Sequence, residues 1–76
     1  MVSAETVGML IREYRLRKGM SQEVLSGLAG IGRTHLSAIE RGIRKPTLET
    51  FSLIADALEM KPSALMAAIE EEMTKE

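Results

Sequence analysis

The sequence predicts an all-α fold, a compact bundle of five short helices, and three observations carry that expectation. Apolar residues recur at three- and four-residue steps in five separate stretches, the spacing of helices that each bury one face. Glycine or proline divides the stretches, and three of them open on Ser or Thr with Glu two places on: Ser3–Glu5, Ser21–Glu23 and Thr47–Glu49. Tyr14 and Phe51 are the only aromatics, so the core must come from Leu, Ile, Val, Met and Ala. That mixture favours helices over strands.

Ser3 caps the first helix, Val7, Leu10, Ile11 and Tyr14 form its apolar stripe, and Lys18-Gly19 ends it. Gly8 inside it costs about 1 kcal/mol relative to Ala, which points to a close helix contact there. Met20 bridges into a second helix opened by Ser21, with Val24, Leu25, Leu28 and Ala29 as its buried positions. Gly30 stops it, because a residue without Cβ turns left-handed cheaply, and Ile31 plugs the corner. A third helix starts at about Arg33, faces Leu36 and Ile39 inward and ends by Gly42. Ile43-Arg44-Lys45-Pro46 cannot continue it, since proline pushes its predecessor out of the α region. Thr47 caps the fourth helix, with Leu48, Phe51, Ile54, Ala55 and Leu58 as its buried face. Pro62 suits the first turn of a fifth, about 62–74, whose apolar side is Leu65, Met66, Ile69 and Met73. Met9, Met20 and Met60 are expected to fill the core near helix ends, and the tail from Thr74 to fray.

With 76 residues, the chain is expected to form one domain over 1–76, close to the lower limit for an unstapled core. There is no cysteine, which excludes disulfides and thiolate chemistry. No apolar run reaches membrane length and no secretory leader opens the chain, so a soluble, cytoplasmic protein without membrane partner is expected. The net charge of −1 hides an asymmetry. From Arg12 to Lys45, eight basic residues meet three acidic ones, and from Pro46 onward two meet seven, giving +5 and −5. Charge on the local face, rather than the average, then selects the partner.

The stretch from Ser21 to Gly42 reads as two helices and a tight turn, a helix-turn-helix over about 21–41. The outward residues of its second helix are Arg33, Thr34, His35, Ser37, Ala38 and Arg41, hydrogen-bonding in the main and cationic at both ends. A helix needing only solubility would more often carry Glu and Lys there. His35 is the sole histidine; without a cysteine or a second histidine to join it, a polar contact to base or phosphate outweighs metal ligation, with an exposed spectator as the plain alternative. Arg17 and Lys18 fit phosphate contacts and helix-dipole partners equally well. Arg12 and Glu70-Glu71-Glu72 read as solvated faces. No paired acids and no nucleophile with a base are spaced for catalysis, so neither an enzyme nor any cofactor or metal is expected.

Lys18-Gly19-Met20-Ser21-Gln22-Glu23, Arg33-Thr34-His35-Leu36-Ser37, Ile39-Glu40-Arg41-Gly42 and Arg44-Lys45-Pro46-Thr47-Leu48 follow in order. Together they resemble the Cro and phage-repressor (lambda-repressor-like) helix-turn-helix family over about residues 7 to 66. The resemblance implies a partly buried salt bridge between Arg15 and Glu40. It places Gln22 at a phosphate, Arg33, Thr34, His35, Ser37 and Ala38 at base edges, and Arg41, Arg44 and Lys45 at the DNA backbone. Two positions depart from the pattern: Gly32 stands where a Ser or Thr usually caps the third helix, and Ala38 offers only a methyl group. Small stand-alone controllers of restriction–modification systems are similar in length and layout, as are short phage-type repressors, and the sequence does not choose between them.

A helix about 10–12 Å across fits a major groove about 12 Å wide, so the resemblance and the physics agree. The expected function is a sequence-specific regulator that binds double-stranded DNA as a homodimer on a palindromic operator. Leu65, Met66, Ile69 and Met73 are expected to pack partly on the bundle and partly on the twin copy. No small-molecule ligand is expected. The alternative is an antitoxin-like or adaptor module that uses the same fold to bind protein.

Overall fold

The computed structural model describes residues 2–75 as five helices: α1 (Ala4–Arg17), α2 (Gln22–Ala29), α3 (Arg33–Glu40), α4 (Leu48–Ala57) and α5 (Pro62–Met73). Met1 and Glu76, the ends of the expected 1–76 span, lie outside the described residues. Three helices start on a side-chain cap. Ser3, Ser21 and Thr47 accept from the backbone N–H of Thr6, Val24 and Thr50, respectively. Each bond satisfies a donor that the helix itself leaves unpaired. Pro62 opens α5, where its missing N–H costs nothing.

α1 packs on α3 and α5, α2 on α3 and α4, and α4 on α5. Ile11, Leu25, Leu36, Ile39, Ile54, Leu58, Leu65 and Ile69 are fully buried where these faces meet. At Gly8 two helices approach closely. A Cβ there would fall 2.7 Å from the Glu40 carbonyl oxygen and closer still to that of Ile39, so α1 and α3 touch backbone to backbone.

Several apolar residues face the other way from their expected positions. Leu28 is 63% exposed and Val24 is half exposed. α2 is two turns long and buries one stripe, Leu25, Ser26 and Ala29. Adjacent residues point about 100° apart on a helix, so 24 and 28 cannot share the stripe of 25 and 29. Leu48, at the first position of α4, is 84% exposed because the first turn overhangs the core. Met9 is also exposed, whereas Met20 and Met60 are partly buried against the core. Past Met73, where fraying is expected, Thr74 is still hydrogen-bonded to the last turn. Thr74 donates from N to the Glu70 carbonyl and from Oγ1 to that of Glu71.

The last helix packs on the bundle as expected, but two of the four residues expected at a twin copy are unavailable to it. Leu65 and Ile69 are 0% exposed within the protomer, so they belong to its own core and not to a surface that a twin could reach. α5 is held on both α1 and α4, and Leu65 and Ile69 are buried within the protomer. Met66 stays 37% exposed and Met73 half-buried. With the half-buried Val2 they line an open groove of about 420 Å³. Val2 and Met66 also line a neighbouring hollow of about 160 Å³ beside Pro46, Leu48 and Phe51.

Candidate nucleic-acid interface

The turn between α2 and α3 is fixed by backbone geometry. Gly30 is left-handed (φ 72°) and donates to the Gly27 carbonyl, while Ile31 donates to that of Ser26 at 3.0 Å. This paired closure satisfies two terminal carbonyls and needs a residue free to adopt positive φ. Ile31, partly buried against the core, completes the corner. α3 then begins at Gly32 without a side-chain cap, the weakness that the sequence signalled.

α3 turns Leu36 and Ile39 fully inward. Its other face carries Arg33 and Thr34, both exposed, with His35, Ser37 and Ala38 half-buried beside them. Arg33, Ser37 and Arg41 recur at four-residue steps and lie along one stripe. Arg41 leans back on it, with Nε 3.4 Å from the Ser37 carbonyl oxygen. Arg44 and Lys45 follow, exposed, in the loop that leaves the end of α3.

Among the described residues, none of Arg33, Arg41, Arg44 and Lys45 belongs to an ion pair. Four cations elsewhere are paired within the protein, Arg15 with Glu40, Arg17 with Glu13, Lys18 with Glu59 and Lys75 with Glu72, while Arg12 and Lys61 stand exposed without an ion pair. Arg17 also lies over the Tyr14 ring, 5.1 Å from its centroid. The Lys18 ammonium, hydrogen-bonded to Glu59, holds that carboxyl below its ordinary pKa. Arg17 and Lys18, which the sequence left between two roles, thus have partners inside the molecule.

Behind the exposed stripe sits a buried ion pair. Arg15 Nε donates to Glu40 Oε2 at 2.7 Å and Nη2 to Oε1 at 2.8 Å, a two-pronged pair between α1 and α3. The side chains are 8% and 2% exposed. Arg15 Nη1 also donates to the Met20 carbonyl at 2.8 Å, which ties in the turn that leads to α2. Hydrogen bonding to Glu40 raises the Arg15 pKa above its ordinary value, against the opposite pull of burial.

Gln22, expected to face a phosphate, is half-buried and gives an Nε2 hydrogen to Glu40 Oε1 at 3.0 Å. Sequence reasoning missed this bond and the one to Met20. The partners are 18 and five residues apart and no local pattern marks either.

Comparison with known proteins places this geometry among regulators. Residues 11–65 match a family described as helix-turn-helix. The control protein C.BamHI of Bacillus amyloliquefaciens is 40% identical over 60 residues, covering 78% of this chain and 74% of the relative. The restriction-modification controller protein C.AhdI from Aeromonas hydrophila has a similar structure, with a TM-score of 0.79 and 37% identity over 82% of this chain and 94% of that one. The restriction-modification controller C.Esp1396I, solved as a tetramer with its natural 35 base-pair operator, superposes with a TM-score of 0.86 at 32% identity, covering 93% of each chain.

Proposed function

The chain belongs to the helix-turn-helix family, and from that premise we propose that it is a sequence-specific regulator of transcription. It binds double-stranded DNA as a homodimer on a palindromic site and operates in the cytoplasm. Its relatives include restriction–modification controllers of similar extent, and a controller of this type is the form we infer. One observation carries the reading. Of the six cations without an ion pair among the described residues, four (Arg33, Arg41, Arg44 and Lys45) lie on α3 or in the loop just after it, around a helix face that presents short hydrogen-bonding side chains.

The roles divide by chemistry. Arg33 reads guanine, because a guanidinium fork matches O6 and N7 together. Thr34, His35 and Ser37 supply further polar contacts to bases, and the Ala38 methyl meets a thymine methyl. Gln22, Arg41, Arg44 and Lys45 hold phosphates, which set register and affinity without carrying sequence information. Arg33→Ala is expected to cost about 1–3 kcal/mol on the preferred duplex and much less on random DNA. Arg44→Ala should weaken all duplexes alike and reduce the salt slope by roughly one unit. Fluorescence titration over a range of salt separates the two, and identical behaviour would abolish the division. Failure to bind any duplex at low ionic strength would transfer the protein to the adaptor class. The exposed Val24 and Leu28 would then be its docking residues.

Two-fold symmetry sets a pair of recognition helices about 34–36 Å apart, one turn of DNA. The apolar groove of Val2, Met66 and Met73, continued past Leu48, is the surface we assign to the twin copy. Met66→Glu places charge in it without touching the buried Leu65 and Ile69. Sedimentation should show monomers at concentrations where the wild type is dimeric, with helicity unchanged. An unaltered mass would place the interface elsewhere.

A further inference from the structure

The Arg15–Glu40 pair carries one hydrogen bond more than a clamp between α1 and α3 requires. Glu40 engages both oxygens with Arg15, and Oε1 accepts again from Gln22, the first residue of α2. A carboxylate can only accept. It therefore selects the orientation of the Gln22 amide, because a flipped amide would set oxygen against oxygen. The amide nitrogen carries two hydrogens, and Glu40 takes one, which leaves the second to donate. A phosphate, like a carboxylate, only accepts, so the nitrogen-inward amide suits it. The Arg15 guanidinium neutralises Glu40, which lets a carboxylate serve this purpose close to a polyanion.

We propose that Glu40 is a positioning residue for DNA binding: from inside the protein its carboxylate fixes the Gln22 amide so that Gln22 meets a backbone phosphate as a donor. The proposal rests on the DNA-binding function above. It makes one buried group set both the seating of α3 on α1 and the grip of α2 on the strand.

The test is a double-mutant cycle on the full chain, using a preferred duplex selected from a random pool and copies with one phosphate at a time replaced by methylphosphonate. Glu40→Gln keeps the shape and an acceptor for Arg15 but frees the Gln22 amide to flip. Wild type should lose about three- to tenfold affinity at one particular methylphosphonate. Gln22→Ala and Glu40→Gln should each become insensitive to that replacement, and the double variant should bind no worse than Gln22→Ala. Losses that multiply, with Glu40→Gln still sensitive at the same phosphate, would overturn the proposal.

Should Glu40→Gln not fold, side-chain amide spectra of wild-type Gln22 decide the matter. On adding DNA, one proton should stay protected and the other should shift. Loss of protection at both would refute the assignment. A wild type that binds no duplex overturns the DNA-binding function as well, whereas binding with multiplicative losses overturns only the role of Glu40.

Discussion

Arg15→Ala is expected to remove about 3–5 kcal/mol of folding stability, because it leaves the Glu40 carboxylate buried without its counter-charge. A domain of this kind has roughly 5–15 kcal/mol in total, so the variant would sit near the edge of folding. At about 4–8 °C of Tm per kcal/mol for chains of this length, thermal unfolding should fall by more than about 12 °C. The loss has three components. The α1–α3 pair goes, the Met20 carbonyl loses a donor, and Gln22 alone faces an uncompensated charge. Replacing both partners, as in Arg15→Met with Glu40→Leu, should recover much of the loss, since no charge then remains inside. Arg17→Ala is the control. Its pair with Glu13 is exposed and worth about 0–1 kcal/mol. If Arg15→Ala behaved like Arg17→Ala, the Arg15–Glu40 pair would have to be solvated in solution.

Gly8→Ala should destabilise as well, through shape alone. The added methyl would overlap the carbonyl oxygens of Ile39 and Glu40, which are backbone atoms and cannot rotate away. α1 must then lift from α3. Overpacking of this kind costs about 1–3 kcal/mol, of which the better helix propensity of Ala returns up to about 1. Because Glu40 is one of the two residues displaced, the Arg15 bonds should lengthen and DNA affinity should drop with stability. Gly27→Ala tests the same change in the open. Gly27 lies inside α2 with nothing within 4 Å of the new Cβ, so the substitution should stabilise by up to about 1 kcal/mol. Opposite signs for one chemical change, read by denaturant titration, would establish the α1–α3 contact. A stabilising Gly8→Ala would disprove it.

Much of the fold was legible because the signals are local. Ser3, Ser21 and Thr47 cap as written, Gly30 turns left-handed and Pro62 opens α5, since each acts within a few residues of itself. Inference from apolar spacing failed where a helix is short. Two turns of α2 offer Val24-Leu25 and Leu28-Ala29 as equivalent candidates, and only the neighbours α3 and α4 decide between them. In α5 the expectation of a face shared between bundle and twin did not say which residue goes where. Nothing in 62–74 tells how much apolar surface α1 and α4 present to it, so the burial of Leu65 and Ile69 beside an exposed Met66 could not be read from the spacing. The exposed stripe on α3 was visible from its composition. The inward turn of Gln22 was not, because it depends on a carboxylate 18 positions later.

The segregation of charge bears on how the molecule arrives. At separations well beyond about 10 Å, ions in the medium blur its halves into a nearly neutral body that DNA hardly notices. Closer in, the unpaired cations of Arg33, Arg41, Arg44 and Lys45 would be drawn toward the strands and the Glu70-Glu71-Glu72 run pushed away from them. Approach then becomes a matter of heading more than of long-range pull. On the proposed function, a collision that leads with α5 would part quickly, and one that leads with the loop after α3 would last long enough to slide along the duplex.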